Sequence, residues 1–228
     1  MSKLGDMYGR KKIFLGSLIL FVIASAVNGM ASSLLILDIG RGVQAIGGAG
    51  MMALSMALGA ANFSGKDRGL ARGSLGSVIG VSTASGPLIG GYLVEHFSWP
   101  AIFYVNVPFG IIATILTILY VKETPSYGKN QKVDLLGMLL SAIGLFAIIY
   151  GLIVKEGHPH WDWTDARVSS WLIGGVVVMI AFIIAEAKAK DPMVNLKMFK
   201  KPHFIGVVIV AFALGAGFYA YNAVLTAL

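Results

Sequence analysis

The sequence contains no cysteine, which excludes a disulfide framework and any metal site built on thiolates. Charge is scarce: Asp, Glu, Lys and Arg make up 13% of the 228 residues, against about 25% in a soluble domain. Acidic residues number only 11. Proline is limited to seven, and the 29 glycines show no three-residue period, which excludes collagen-like order. Disorder is excluded because disordered chains are polar and poor in β-branched and aromatic residues. What the chain has in quantity is apolar sequence. Hydrophobic residues make up 57% and mean hydropathy is +0.79. That is too much for one water-soluble core at this charge, and it points to an integral membrane protein. The net charge of +7 is then a topology signal rather than affinity for nucleic acid.

About 20 apolar residues cross the hydrocarbon as a helix. Seven stretches qualify, roughly 13–32, 33–62, 73–94, 101–121, 135–154, 169–187 and 204–225. They are continuous rather than alternating, which favours helices over a β-barrel. No segment reads as a cleaved signal peptide: the run after Arg10, Lys11 and Lys12 is too long and lacks a small-residue cleavage site. Between the first two stretches, one parsing turns the chain near residues 30–33 and places Asp38 and Arg41 inside the second helix. The other puts both in a loop. The first is preferred.

Fifteen of the 18 Lys and Arg fall in four segments: Lys3, Arg10, Lys11 and Lys12; Lys66, Arg68 and Arg72; Lys122, Lys129 and Lys132; Lys188, Lys190, Lys197, Lys200 and Lys201. The alternating segments hold only Lys155 and Arg167. This asymmetry predicts a cytoplasmic N-terminus. The segment with Glu156, Asp162 and Asp165 is then external, and Trp161, Trp163 and Trp171 suit an interfacial aromatic belt.

Several short patterns carry more than hydropathy. Leu4-Gly5-Asp6-Met7-Tyr8-Gly9-Arg10-Lys11-Lys12 reads plainly as a solvated, positive anchor. Its spacing allows more: Gly9 permits a tight turn, and Asp6 and Arg10 stand four apart, so they meet on a helix. Asp6 also suits the positive N-terminal end of a helix. A charge cluster tying two helices together there would act as a latch that breaks during gating. Arg41, three residues before Gln44, would cost about 2.5–3.5 kcal/mol in mid-membrane on insertion scales, so it tends to be retained for a reason. Asp38 lies one turn away and could offset that cost. Gly76, Gly80 and Ala84 form a small-residue stripe of the kind that lets helices approach in lipid. It runs into Gly86-Pro87-x-x-Gly90-Gly91, where Pro87 removes one helical hydrogen bond. Met51, Met52 and Met56 read either as ordinary packing or as an adaptable apolar pocket. Tyr219, Tyr221 and Asn222 could supply polar contacts to a cavity. His158 and His160 lack a third ligand, so a polar external loop is a better reading than a metal site.

These patterns resemble, in order, those of the major facilitator superfamily. Leu4, Asp6, Gly9, Arg10 and Lys11 match its inner-loop motif A, with Ser2 in place of the leading Gly. Arg41 and Gln44, followed by Ala45, Gly47, Gly48 and Ala49, are similar to motif B, whose Arg is linked to proton coupling. The run through Gly86, Pro87, Gly90 and Gly91 is similar to motif C of the superfamily's antiporters, where a kinked fifth span seals or hinges the central cavity. Trp99 to Gly110, with Phe103, Asn106 and Pro108, resembles the start of the sixth span in fourteen-span drug/proton antiporters. Residues 192–204 resemble the connector before the ninth span.

The resemblance implies an all-α integral membrane fold, a partial superfamily helical bundle of about seven transmembrane helices. Residues 1–121 would be part of an N-terminal bundle (spans three to six). Residues 122–190 would be two linking helices, and 191–228 a connector with the first span of a C-terminal bundle. It implies proton-coupled efflux of lipophilic drugs across the cytoplasmic membrane, as part of a longer transporter, without enzymatic activity, cofactor, metal or nucleic acid. The implied proton-coupling residues are Arg41 and Asp38. The inner latch is Asp6, Gly9, Arg10 and Lys11, and the antiporter motif is Gly86, Pro87, Gly90 and Gly91. The family's first-span acidic residue is not in this sequence. A symporter, a narrow-specificity exporter and a truncated, non-transporting membrane protein remain as alternatives.

Overall fold

A computed structural model describes residues 1–124, 134–189 and 191–227; at Ser2 and beyond residue 217 it describes the backbone alone. Lys129, Lys132 and Lys190 therefore lie outside the described residues, as do the side chains of Tyr219, Tyr221 and Asn222. All regular structure among the described residues is helical. The chain separates into two compact units, residues 1–131 and 132–228.

The first unit opens with α1 (Ser2–Tyr8), α2 (Arg10–Gly29), α3 (Leu34–Asn62) and α4 (Gly65–His96). The chain turns at 30–33, where the Ser33 hydroxyl accepts from the Ile36 amide and caps α3. Asp38 and Arg41 therefore lie inside α3, as the preferred parsing expected. Next come α5 (Ala101–Tyr104) and α6 (Asn106–Tyr120), one apolar span broken at Val105. The break has a cause: Pro108 has no amide proton to donate to the Tyr104 carbonyl.

The second unit holds α7 (Leu135–Gly157), α8 (Ala166–Lys188), a 3-10 turn (Leu196–Lys200) and α9 (Pro202–Ala227). Asp134 caps α7 through the Gly137 amide, and Asp165 caps α8 through the Arg167 amide. Lys155 and Arg167 lie over the Trp163 and Trp161 rings, and His158 stacks on Trp161 at 3.9 Å. His158 is thus part of the loop's packing, and no cluster of three metal-ligating groups occurs among the described residues.

Six helices are long and apolar enough to cross a bilayer, and the described apolar part of α9 runs from Pro202 to Gly217. Large apolar side chains stand exposed along all of them, Leu35, Val81, Leu88, Phe109, Leu119 and Ile173 among them, each more than 60% exposed. A soluble protein would not carry such surface; hydrocarbon covers it.

Small residues make the closest contacts between the helices. The buried residues of α7 are Gly137, Gly144, Ala147 and Gly151, and the three glycines recur every seven residues. A Cβ at Gly144 would lie 2.8 Å from the Met179 sulfur. Facing it, a Cβ at Gly175 would lie 2.9 Å from the Ile148 amide nitrogen and 3.0 Å from the Gly144 carbonyl oxygen. Backbone meets backbone here, so a larger residue cannot be absorbed by rotating a side chain. Gly174, one position along, has no neighbour within 4 Å of its would-be Cβ. Gly175→Leu should therefore destabilise the α7–α8 pair by about 1–3 kcal/mol, the usual cost of overpacking. Gly174→Leu should not. Thermal unfolding of both purified variants in one detergent checks this, and equal melting temperatures would contradict the packing described.

Candidate functional site

The end of the first unit that carries the N-terminus is built around a break between two helices. α1 stops at Gly9, whose φ of +102° is a conformation L side chains rarely adopt. Across the break, Arg10 Nε donates to Asp6 Oδ1 at 2.8 Å, and Arg10 Nη1 reaches the Ala57 carbonyl at 3.4 Å. One guanidinium thus joins α1, α2 and the far end of α3.

The sequence suggested Asp6 for the positive end of a helix. The structure places another acid there. Glu123, three residues past α6, turns its carboxylate onto the first turn of α2. Its Oε1 accepts from the Lys11 amide at 3.0 Å, and its Oε2 from the Lys12 amide at 3.3 Å. Lys11 Nζ returns a bond to the Ile118 carbonyl at 2.9 Å. The α2 N-terminus has free amides and the positive end of its dipole, so a carboxylate fits by both hydrogen bonding and charge. A Cβ at Gly9 would stand 2.9 Å from the Glu123 Cδ, a second reason for glycine there. Sequence reasoning missed Glu123 because 112 residues separate it from Lys11. The only signal was an acid directly after an apolar span.

Above this end, α2 and α3 pack through glycine and hold a buried polar set. A Cβ at Gly47 would lie 2.7 Å from the Ser17 carbonyl oxygen. Gln44 Nε2 donates to Ser25 Oγ at 2.6 Å, and Asn28 Nδ2 donates to Gln44 Oε1 at 3.1 Å. Ser25 and Asn28 are completely buried. Asn28 Oδ1 has no hydrogen-bond donor and rests on the Cα of Gly40, a weak C–H···O contact at best. Gln44 therefore serves the helix contact, not the surface where Arg41 stands.

That surface is an exposed face of α3. Asp38, Arg41, Ala45, Ala49, Met52 and Met56 recur at helical spacing and are all exposed. Asp38 and Arg41 do not pair: the ion pair among the described residues is Asp6–Arg10. Arg41 instead lies 5.8 Å from the centroid of the Phe103 ring, which makes a cation–π contact. Met52 and Met56 are 62% and 39% exposed and share the Arg41 face.

The Gly-Pro segment is not brought to the other sites. α4 buries none of its residues, and its helix runs through Pro87. Gly76, Gly80, Gly86, Gly90 and Gly91 have nothing within 4 Å of a would-be Cβ. This seam of small residues stands open among the described residues. A separate cavity of about 640 Å³ lies between α2, the end of α3, the first turns of α4 and the end of α6. Its walls are mostly apolar, with Phe14, Leu58, Phe63 and Leu75, and Asp67 is its one acid. The volume suits a drug-sized molecule. Arg41 and Asp38 do not line it.

The sequence profile of the Major Facilitator Superfamily matches residues 1–228. Multidrug resistance protein 3 of Bacillus subtilis (strain 168) is 36% identical over 216 residues, covering 95% of this chain and 42% of that protein. A multidrug transporter protein from the same strain is 31% identical over 217 residues, covering 95% and 40%. The tetracenomycin C resistance and export protein of Streptomyces glaucescens is 31% identical over 221 residues, covering 95% and 40%. The chain thus spans about two-fifths of the length of these relatives. Apolar helices joined by glycine seams, a charge-tied break between α1 and α2 and a family match over its whole length place this chain in the major facilitator superfamily, as a multi-pass membrane protein.

Proposed function

We propose that the chain forms part of a transporter that exports lipophilic drugs across the cell membrane in exchange for protons, with its N-terminus in the cytoplasm. Relatives named for multidrug resistance and drug export support the cargo class. The observation that carries the exchange reading is the outward face of α3. An arginine stands there inside an apolar span, exposed, held by an aromatic ring rather than by an acid. An unneutralised cation at that depth is costly. It repays the cost by setting the field in which a nearby group gains and loses a proton. Met52 and Met56 on the same face offer adaptable apolar contact to varied cargo. Asp38, one turn away, is the second coupling residue.

Asp6, Gly9, Arg10 and Lys11 act as the inner latch, and Glu123 completes it. Transport requires the two halves of such a protein to rock around a midplane site, so these bonds break and re-form in each cycle. Gly86, Pro87, Gly90 and Gly91 on the open seam of α4 keep the central cavity tight against protons. Within the family architecture, residues 1–121 belong to the N-terminal bundle, 122–190 to two linking helices and 191–228 to the connector and the first span of the C-terminal bundle.

In the full-length transporter, Arg41→Ala should abolish drug-induced proton release from inverted vesicles while expression is unchanged. Normal release would remove Arg41 from the mechanism. The same vesicles separate exchange from symport and from a truncated, non-transporting protein, because neither would release protons when drug is added. Glu123→Gln keeps the shape but loses the charge-assisted bonds, which in general contribute about 1.5–3 kcal/mol and less at an exposed position. We expect a several-fold drop in transport rate and faster thiol labelling of a cysteine introduced at Ser55 in the inner cavity. Unchanged labelling would exclude Glu123 from the latch.

A further inference from the structure

The second unit contains one buried acid that the export reading does not use. Glu186, in the last turn of α8, is 2% exposed. Its Oε1 accepts from the Met193 amide at 3.2 Å and its Oε2 from the Val194 amide at 3.1 Å. Two successive backbone amides thus close on one carboxylate. On its other side stands the first turn of α7, where a Cβ at Gly137 would lie 2.7 Å from Glu186 Oε1. Glycine at 137 leaves the space that the carboxylate fills.

The effect is to fold the chain back after α8. Residues 193–194 are held against the helix end, and the 3-10 turn Leu196–Lys200, started by Asn195 accepting from the Lys197 amide at 3.1 Å, leads directly into α9. A short segment held between two spanning helices lies at the depth of the lipid headgroups. Its exposed side chains are of two kinds. Met193, Met198 and Phe199 are 44–45% exposed, and Phe199 packs edge-on against Phe204 at 5.1 Å. Lys197, Lys200 and Lys201 are exposed beside them, as is Lys188 at the end of α8. Asp191 is the exposed acid of this stretch.

We propose that this strap is a docking surface for anionic phospholipid headgroups of the inner leaflet, and that Glu186 is the residue that positions it. The apolar side chains enter the acyl boundary, as in interfacial segments generally. The lysines meet the phosphates, and each basic residue near an anionic surface contributes about 1 kcal/mol. Zwitterionic headgroups offer no such net attraction. Glu186 acts through the backbone: without it the segment that carries the lysines is not tied to the end of α8. The inference rests on the membrane topology and is independent of proton coupling.

The test uses the full-length transporter in nanodiscs with equal phosphatidylglycerol and phosphatidylethanolamine, and native mass spectrometry counts the lipids retained. The parent protein should retain phosphatidylglycerol preferentially, and less of it as salt is raised. The triple variant K197Q/K200Q/K201Q should lose at least about fivefold of that preference, the equivalent of one surface lysine. K66Q/R72Q, which removes inner-face cations elsewhere, should keep it. Glu186→Ala is the decisive variant. It removes a negative charge, so a bulk charge effect predicts stronger retention, whereas a released strap predicts weaker retention. Should Glu186→Ala fail to fold by circular dichroism and gel filtration, Glu186→Gln replaces it, since it loses the charge and sets an NH2 donor where one of the two acceptor oxygens met a backbone amide. Preference unchanged in the triple variant, lost equally in K66Q/R72Q, or raised on removing Glu186 would each overturn the proposal.

Discussion

Two helices in lipid gain almost nothing from the hydrophobic effect by touching, because the hydrocarbon they displace is as apolar as they are. Their contact depends on how closely the backbones approach, and every well-packed pair here depends on that. Gly47 lets α3 reach the α2 backbone. Gly110 makes room for Val22 between α6 and α2, and Gly144 and Gly175 bring α7 onto α8. α4 shows the same constraint in reverse. It carries the densest run of small residues and buries none of them, so its seam has the shape of a contact without a partner among the described residues.

The same medium governs polar groups. Buried away from water, they must find partners or remain costly. Ser25, Gln44 and Asn28 partner one another, and Asn28 Oδ1 stays unpaired against Gly40. The carboxylates of Glu123 and Glu186 each take two successive backbone amides of another segment near the end of a helix, and Glu123 also takes the Thr124 amide. These two acids tie chain segments at the places where the segments must be held or released. Arg41 is the exception, a cation two turns into an apolar helix and supported by one ring, and the proposed exchange mechanism is built on that exception.

Much of the architecture was legible in the residues. Segment lengths and the uneven distribution of lysine and arginine gave the spans, and helical spacing gave the Asp6–Arg10 pair. Arg41 and Gln44 were visible as polar residues in an apolar run. Their different roles were not, because three residues of helix leave them only about 60° apart, and only the position of α2 says that Gln44 is covered while Arg41 is not. Asp38 looked like a partner for Arg41 at the right spacing. The side chain of Arg41 goes to Phe103 instead, 62 positions on, which no local pattern encodes.

The sequence by itself determined that this is a helical membrane protein, roughly where its apolar helices lie, and which family patterns it carries. These properties depend on composition and on neighbours within a turn or two. The tertiary structure alone decided that Glu123 caps α2, that Glu186 pins the strap before α9, and which glycines are contacts and which stand open. Each of those is a meeting of backbone groups, at close range, from different elements. The residues involved carry no mark of it until the helices are set side by side.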